Sequence, residues 1–506
     1  MPPDMDHTRA PVLEAMAEHR RLSRLDFTPP GHKQARGADP AVREVLGDAV
    51  FQGDVLASGA LDDRRTRGHV LERAERLMAD AVHAEHTFFS TCGSSLSVKA
   101  AMLSVAGPHE KLLVGRDAHK SVVSGLILSG IRPVWVEPRW DTERHLAHPP
   151  AAADYERSFD AHPDAKGALV TSPTPYGSCA SLGTLAEICH RRSSPLIVDE
   201  AWGAHLPFHS RLPSWAMDAG ADICVTSIHK MGSGLEQGSV FHLQGGLIDP
   251  ALLASRADLL GTTSPSVLIY AGLDGWRRQM ALHGSELLGR ALDLAADVRA
   301  EIEKLDGLHV NDRTDFGGPA LADDLDPLPV VIDVSGLDTT GYAAADWLRA
   351  RRSVDVHLSD HRRISTQLTH GDDHDTTDVL LDALQALTRA VGALHPAPRV
   401  EVPSPDELRL EQVDLPRDSY FGPFIDVPWT DAAGRTVAEM LTPYPPGIPA
   451  ALPGERLEEP VLRYLRSGVT AGMNVPDAAD PRLDTVRVVR TEADAPLADP
   501  ARRPHD

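Results

Sequence analysis

Lysine is scarce in this sequence: its 506 residues hold only seven, Lys33, Lys99, Lys111, Lys120, Lys166, Lys230 and Lys304, beside 43 arginines. Chemistry that needs a primary amine therefore has few places to reside. Cysteine is rarer still, and Cys92, Cys179, Cys189 and Cys224 show neither C-x-x-C spacing nor a disulfide framework. No window holds 18 uncharged apolar residues, so a spanning helix is not expected. The opening MPPDMDHTRAP lacks the apolar stretch of a secretory signal, which makes the cytoplasm the expected compartment. Positive charge is in deficit, with 50 basic residues against 73 acidic ones and a net charge of −23. A field of that sign repels phosphate backbones and anionic lipid heads, so neither nucleic acid nor a membrane is an expected partner. It mildly favours a cationic substrate.

What is present is ordered. Short apolar runs at 111–115, 132–138, 167–172, 195–200 and 222–227 read as buried strands, separated by stretches long enough for crossover helices. That alternation predicts an α/β domain, a mostly parallel sheet with helices on both faces. Residues 68–86 carry apolar positions at helical spacing, and a second helix is expected at 96–106. After an N-terminal segment (1–25), the large domain is expected over 26–275. A smaller α+β domain follows over 276–395, with a long amphipathic stretch at 276–305, strands at 328–335 and 354–358, and helices at 341–352 and 376–394. Four prolines mark 396–407 as a linker. A C-terminal domain is expected over 408–490, and a disordered tail over 491–506.

Ligands in such sheets bind beyond the carboxyl ends of the strands. One strand ends in Asp199-Glu200-Ala201-Trp202-Gly203 and another in Ser227-Ile228-His229-Lys230. A carboxylate and a lysine at neighbouring strand tips suit pyridoxal phosphate. The amine holds the aldehyde, and the aspartate keeps the pyridine nitrogen protonated so that the ring accepts electrons. Phosphate needs a cluster of backbone N–H groups at a helix start, which Gly93, Ser94 and Ser95 can provide, with the Ser227 hydroxyl added. His119 is suited to stack on the ring. Each feature also has a plainer reading. Gly-Ser-Ser can be a capped helix start, Asp199-Glu200 a solvated pair, and His32 a turn residue. His205 and His209 have metal-ligand spacing, but Pro207 between them breaks the helix, and no metal site is expected. The Gly-Ser-Gly after Lys230 is not a phosphate loop of the kind in which lysine follows the glycines.

Taken together these residues resemble the bacterial ornithine/lysine/arginine decarboxylases over about 26–480, which implies the aspartate-aminotransferase-like pyridoxal-phosphate fold. The resemblance rests on Thr28-Pro29-Pro30-Gly31-His32-Lys33-Gln34, Ser90-Thr91-Cys92-Gly93-Ser94-Ser95, Arg116-Asp117-Ala118-His119-Lys120-Ser121, Asp199-Glu200-Ala201-Trp202-Gly203-Ala204-His205, Ser227-Ile228-His229-Lys230, Thr262-Thr263-Ser264-Pro265-Ser266, and Ala438-Glu439-Met440 with Pro443-Tyr444-Pro445-Pro446-Gly447-Ile448-Pro449. It implies that Lys230 is the Schiff-base lysine, Asp199 the pyridine-nitrogen partner and His119 the stacking histidine. Gly93, Ser94, Ser95, Ala201, Trp202, Ser227 and His229 complete the cofactor surround. Thr263 and Ser264 resemble the segment that reaches the neighbouring subunit's phosphate, which implies a homodimer or higher assembly. The run Met231-Gly232-Ser233-Gly234-Leu235-Glu236-Gln237 departs from the family's Thr-Leu-x-x-Leu-Thr-Gln, and Cys92 stands where asparagine is common.

The implied activity is decarboxylation of lysine, ornithine or arginine, with Glu236, Glu439 and His32 as candidates for substrate contacts and His229 or Lys230 as the proton donor to Cα. Transamination or C–C cleavage with the same cofactor is the alternative, in which Arg362 or Arg363 would grip the α-carboxylate. A non-catalytic regulatory relative is the second.

Overall fold

The structure, a computed structural model, describes residues 5–23, 25, 27–57, 61, 69–318, 320–390, 398–444 and 446–494. Its centre is a seven-stranded sheet built from β1 (His86–Ser90), β2 (Lys111–Gly115), β3 (Arg132–Val136), β4 (Ala168–Thr171), β5 (Leu196–Asp199), β6 (Ile223–Ser227) and β7 (Ser239–Leu243). The spatial order is β1-β7-β6-β5-β4-β2-β3, parallel from β6 through β3, with β7 and β1 antiparallel at one edge. Leu169, Val198 and Val225 are fully buried, as strands covered on both faces require. The antiparallel strands β1, at the edge, and β7, beside it, were not among the strands expected. His-Thr-Phe-Phe-Ser lies between a helix and a small-residue loop, so its short period-2 signal is masked by its neighbours. The helix before it covers Val70–Ala81 and stops short of residue 86.

Two helices matter for the site: α1 (Ser94–Val105), starting two residues earlier than expected, and α2 (Lys120–Ser129). A 36-residue helix, α3 (Val267–Ile302), runs straight through the expected boundary at 275 and joins the large and small domains. Its buried stripe, including Leu273, Trp276 and Met280, extends the amphipathic pattern backward to Val267. The N-terminal segment is tied to it. Arg277 and Asp274 form a fully buried pair on α3, and Asp274 accepts the Val12 N–H at 2.8 Å.

The small domain has an antiparallel sheet of β8 (His309–Asn311), β9 (Pro329–Asp333), β10 (Leu358–Ser359) and β11 (Arg363–Gln367), ordered β8-β9-β11-β10. The strand expected at 354–358 begins only at Leu358. The polar sequence Arg-Ile-Ser-Thr-Gln of β11 gave no strand signal, yet it pairs with β9 along its whole length. Helix Gly341–Arg352 spans the expected residues. Helix His374–Ala390 starts two residues early, and the rest of its expected range, 391–394, lies outside the described residues. Within the expected linker, a capping box between Ser404 and Glu407 starts the short helix Pro405–Leu408.

The C-terminal unit pairs β12 (Phe424–Pro428) with β13 (Thr485–Val489) and packs them with helix Glu459–Ala471 around Val437, Leu441, Leu462, Leu465 and Val488. Arg116 docks it onto the large domain through two hydrogen bonds to buried Glu455, at 3.1 and 3.0 Å. The expected tail is partly ordered: Asp494 binds Arg435 at 2.6 Å, and 495–506 lie outside the described residues. Among the described residues no helix is long and apolar enough to cross a membrane.

Candidate active site

The carboxyl ends of β2, β4, β5 and β6 open into a cavity of about 480 Å³. It gathers Gly93, Ser94, Ser95, His119, Asp199, Ala201, Trp202, His229, Lys230 and Glu236 from segments spread over 143 positions of sequence. Register explains part of this. Asp199 pairs with Thr171 across β4 and β5, so both side chains reach the same end of the sheet, and Thr171 lines the cavity too.

Lys230 lies on a short helical turn, Ile228–Met231, that follows β6 at once. Its Nζ stands 4.0 Å from the centre of the Trp202 ring, and Gln367 of β11 donates to its backbone carbonyl at 2.7 Å. Burial drives the amine down to about 8, against the opposing pull of Asp199 and Glu236. Asp199 is buried and feels the converse: desolvation raises its pKa while Lys230 lowers it. Among the described residues its carboxylate accepts one hydrogen bond, a long one from the Ala201 N–H at 3.3 Å. A carboxylate so little used by the protein has capacity left for a cationic N–H.

His119 caps the start of α2. Its Nδ1 accepts the Ser121 N–H at 3.2 Å, which puts the ring proton on Nε2. Burial first, then Lys230 and Lys120, push its pKa down to about 4. A neutral imidazole lies flat on a pyridinium without charge repulsion. Beyond it comes the C-terminal unit. A Cβ on Gly447 would lie 2.8 Å from His119 Nε2, and Gly447, at φ +91°, takes the Lys120 N–H at 2.9 Å. Glycine alone allows that approach at that backbone angle.

At the opposite wall, α1 presents an N-terminus that no side chain caps, and Ser227 Oγ donates to Ser94 Oγ at 2.7 Å. Free amides and hydroxyls at a helix start suit a phosphate. The donor set therefore fits pyridoxal phosphate: amides and serines for the phosphate, an aromatic face, a strand-tip carboxylate and an amine with a lowered pKa.

Other sequence candidates lie elsewhere. Glu439 is inside the C-terminal unit, where its two oxygens accept the Ala479 and Arg487 N–H groups at 2.6 Å each, and it lines no part of the cavity. His32 packs beside Phe51 with Nε2 3.2 Å from Asp54, also outside the cavity. Thr263 and Ser264 are exposed in the loop before α3. Glu236 is at the rim, its side chain 90% exposed and 3.8 Å from His229 Nε2. Arg362 and Arg363, the arginines a transaminase reading needs, line no part of the cavity. Arg362 binds Asp333 and the Glu143 carbonyl, and Arg363 binds Asp360 and the Arg144 carbonyl. His205 is buried, and His209 accepts the Arg211 N–H; among the described residues no cluster of metal ligands forms.

Sequence reasoning missed His357. It comes from the small domain, stands edge-on to Trp202 at 4.6 Å between ring centres, and has a buried Nε2 without a hydrogen-bond partner among the described residues. Burial and the charge of Lys230 lower its pKa to about 4. No motif marks it, because only the packing of the small domain brings it to the site.

A doubly covered, mostly parallel sheet with a buried aspartate at one strand tip and a partly buried lysine just past the next defines the aspartate-aminotransferase-like class of pyridoxal-phosphate folds. Within that class, residues 10–316 match the Orn/Lys/Arg decarboxylase major domain and 422–478 its C-terminal domain, and the chain belongs to this family of decarboxylases. It is similar to an arginine decarboxylase of Halalkalibacterium halodurans, 38% identical over 485 residues that make up 95% of this chain and 98% of that protein. An arginine decarboxylase of Bacillus subtilis is 33% identical over 491 residues, 96% of this chain and 99% of the other. The constitutive lysine decarboxylase of Escherichia coli has the same fold, with a TM-score of 0.78 at 20% identity over 96% of this chain and 82% of that one.

Proposed function

We propose that the protein decarboxylates L-arginine to agmatine and CO2, with pyridoxal phosphate bound in the cavity described above. The observation that carries the reaction is the buried Asp199–Lys230 pair facing one cavity. The choice of arginine rests on the nearly end-to-end likeness to proteins named arginine decarboxylases. When bound, the cofactor supplies a cationic ring that accepts the electrons of the breaking Cα–carboxylate bond. Lys230 would attach it, Asp199 would hold the proton on the ring nitrogen, and His119 would keep water from one face. Lys230 Nζ, or His229 through Nε2, would then deliver a proton to Cα. His229 Nδ1 donates to the Gly238 carbonyl at 3.2 Å, so its Nε2 would have a proton to deliver in the imidazolium form.

Glu236 is an acidic residue at the cavity rim, its exposed side chain held only by a 3.8 Å approach to His229 Nε2, and it suits the distal guanidinium of the substrate. The Glu236→Gln enzyme should show a KM for arginine raised about ten-fold at nearly unchanged kcat, since a charge-assisted contact far from Cα is made equally in ground and transition states. Steady-state kinetics decide this, and an unchanged KM removes Glu236 from substrate binding. Thr263 and Ser264, exposed on their own chain, suit a homodimer in which they reach the neighbouring copy's phosphate.

The test of function is mass-spectrometric product analysis of the cofactor-loaded protein given arginine, lysine and ornithine separately. Agmatine accumulating over many turnovers supports the reading. Cadaverine or putrescine instead reassigns the substrate, and no amine from any of the three overturns the reaction.

A further inference from the structure

The hairpin of β10 and β11 touches the large domain at both of its ends. At the closed end, Asp360 accepts the Tyr176 hydroxyl at 3.0 Å, and Arg362 and Arg363 donate to the Glu143 and Arg144 carbonyls. At the open end lie His357 and Gln367. Register pairs Leu358 with Ser365, and the His357 N–H donates to the Ser365 carbonyl at 2.8 Å, so the two residues flank the same end of the hairpin.

The contacts at that open end converge on Lys230. A helical turn as short as Ile228–Met231 has no next turn to use its last carbonyls. The Lys230 carbonyl is taken instead by Gln367 Nε2 at 2.7 Å. The large domain holds the rest of the turn: the Gly238 carbonyl accepts the Ile228 N–H at 2.9 Å, and Met231 is buried in the core. Gln367 thus fixes the backbone of the lysine itself. A ring steadies its tip. Lys230 Nζ stands 4.0 Å from the centre of the Trp202 ring, and His357 meets that ring edge-on, with centres 4.6 Å apart and planes at 64°. Trp202 lies in the turn after β5 and is half-buried, so a neighbour is needed to keep the indole in one place. An amine on a long, freely rotating side chain reaches a fixed point only when its backbone and its tip are both confined.

We propose that Gln367 and His357 are positioning residues for Lys230: one hairpin of the small domain holds the lysine's backbone through the first and the ring beneath its amine through the second. The inference rests on the reading of Lys230 as the amine that takes the cofactor. It adds that the large domain alone does not place this amine, although the lysine and the strand before it belong to that domain.

The test reads the amine directly, in the cofactor-free full chain. Only seven lysines are present, so reductive methylation with isotopically labelled formaldehyde gives a small set of NMR signals, and Lys230→Ala identifies the one of interest. In the parent this signal should titrate near 8. In Gln367→Met and in His357→Ala it should titrate above about 9, because burial, the largest influence on this amine, is relaxed and water reaches it. His357→Phe keeps a flat ring against Trp202 and should titrate with the parent. Gln367→Met and His357→Ala should also take up pyridoxal phosphate about five-fold or more slowly near pH 7, followed by absorbance, at unchanged melting temperature. If Gln367→Met does not fold, the two His357 variants decide. A Lys230 titration unchanged from the parent's in the folded Gln367→Met and His357→Ala proteins would overturn the proposal, as would a shift in His357→Phe equal to that in His357→Ala. None of these readings requires turnover. Borohydride label on another lysine refutes the reading of Lys230, whereas label on Lys230 with an unmoved titration refutes this inference alone.

Discussion

The Lys230→Ala protein should make agmatine at least about four orders of magnitude more slowly than the parent, with the loss in kcat rather than KM. The reason is scarcity as much as geometry. Lys111, Lys120, Lys166 and Lys304 are held by Asp164, Asp477, Glu110 and Glu301, and Lys33 binds the Thr28 carbonyl. Lys99 lies along α1 and lines no part of the cavity. No other amine can take over. Reduction of the loaded protein with borohydride should fix the cofactor to Lys230 in the parent and to no residue in the variant. Label on another lysine would sink the assignment. The fold should not suffer. Lys230 has its pKa lowered by burial from 10.5 to about 8, so in the cofactor-free protein the folded state binds this proton less tightly than the unfolded one. Below pH 8 the penalty of burying the ammonium is fully present, up to about 3 kcal/mol, and it fades as pH rises through 10.5. Without cofactor, Lys230→Ala should therefore melt no lower than the parent near pH 7, and its relative advantage should shrink toward pH 10. Thermal melts at the two pH values check this. An advantage that grows with pH would mean that the amine is not buried as described.

Why some of this was legible in the sequence and some was not comes down to how local each signal is. Asp199 ends an apolar run and Lys230 follows the end of a second buried strand by three residues, and a buried parallel strand delivers what lies at its end to the carboxyl edge of the sheet whatever the rest of the chain does. The loop at Gly93 is equally local, since a helix start needs only its own neighbours. Glu439 looked like a free acid because sequence does not show which backbone amides a loop leaves empty; the turn at Ala479 and strand β13 fill both its oxygens. His357 reaches Trp202 only because the small domain folds back over the cavity. The antiparallel strands β1 and β7 were hidden by the opposite problem. Their pattern is too short to stand out from an adjoining helix and an adjoining glycine loop.

Asp199→Asn should cost about three orders of magnitude in kcat while leaving the fold and most of the cofactor affinity intact. Asparagine keeps the shape and still accepts the Ala201 N–H, but it brings no negative charge to the ring nitrogen. The protein around Asp199 shows why the charge matters. Desolvation works to neutralise it, and Lys230, with the Ala201 N–H, opposes this in the cofactor-free chain. With Lys230 holding the cofactor as proposed, a positively charged ring nitrogen would be the partner that keeps the carboxylate ionised in a dry site, and the carboxylate would in turn keep that nitrogen protonated. Each group would hold the other's charge, so replacing one should lower the pyridine nitrogen's affinity for its proton and, with it, the ring's capacity to take electrons from Cα. Two measurements separate this from simple damage. Cofactor titration should give a similar stoichiometry in the variant, and loading it with an analogue whose ring nitrogen is permanently alkylated, and so always cationic, should recover a large part of the lost rate. A variant that keeps its rate with ordinary cofactor would mean that the ring proton is held elsewhere. A variant that binds cofactor normally but is not rescued by the alkylated analogue would assign Asp199 to positioning alone.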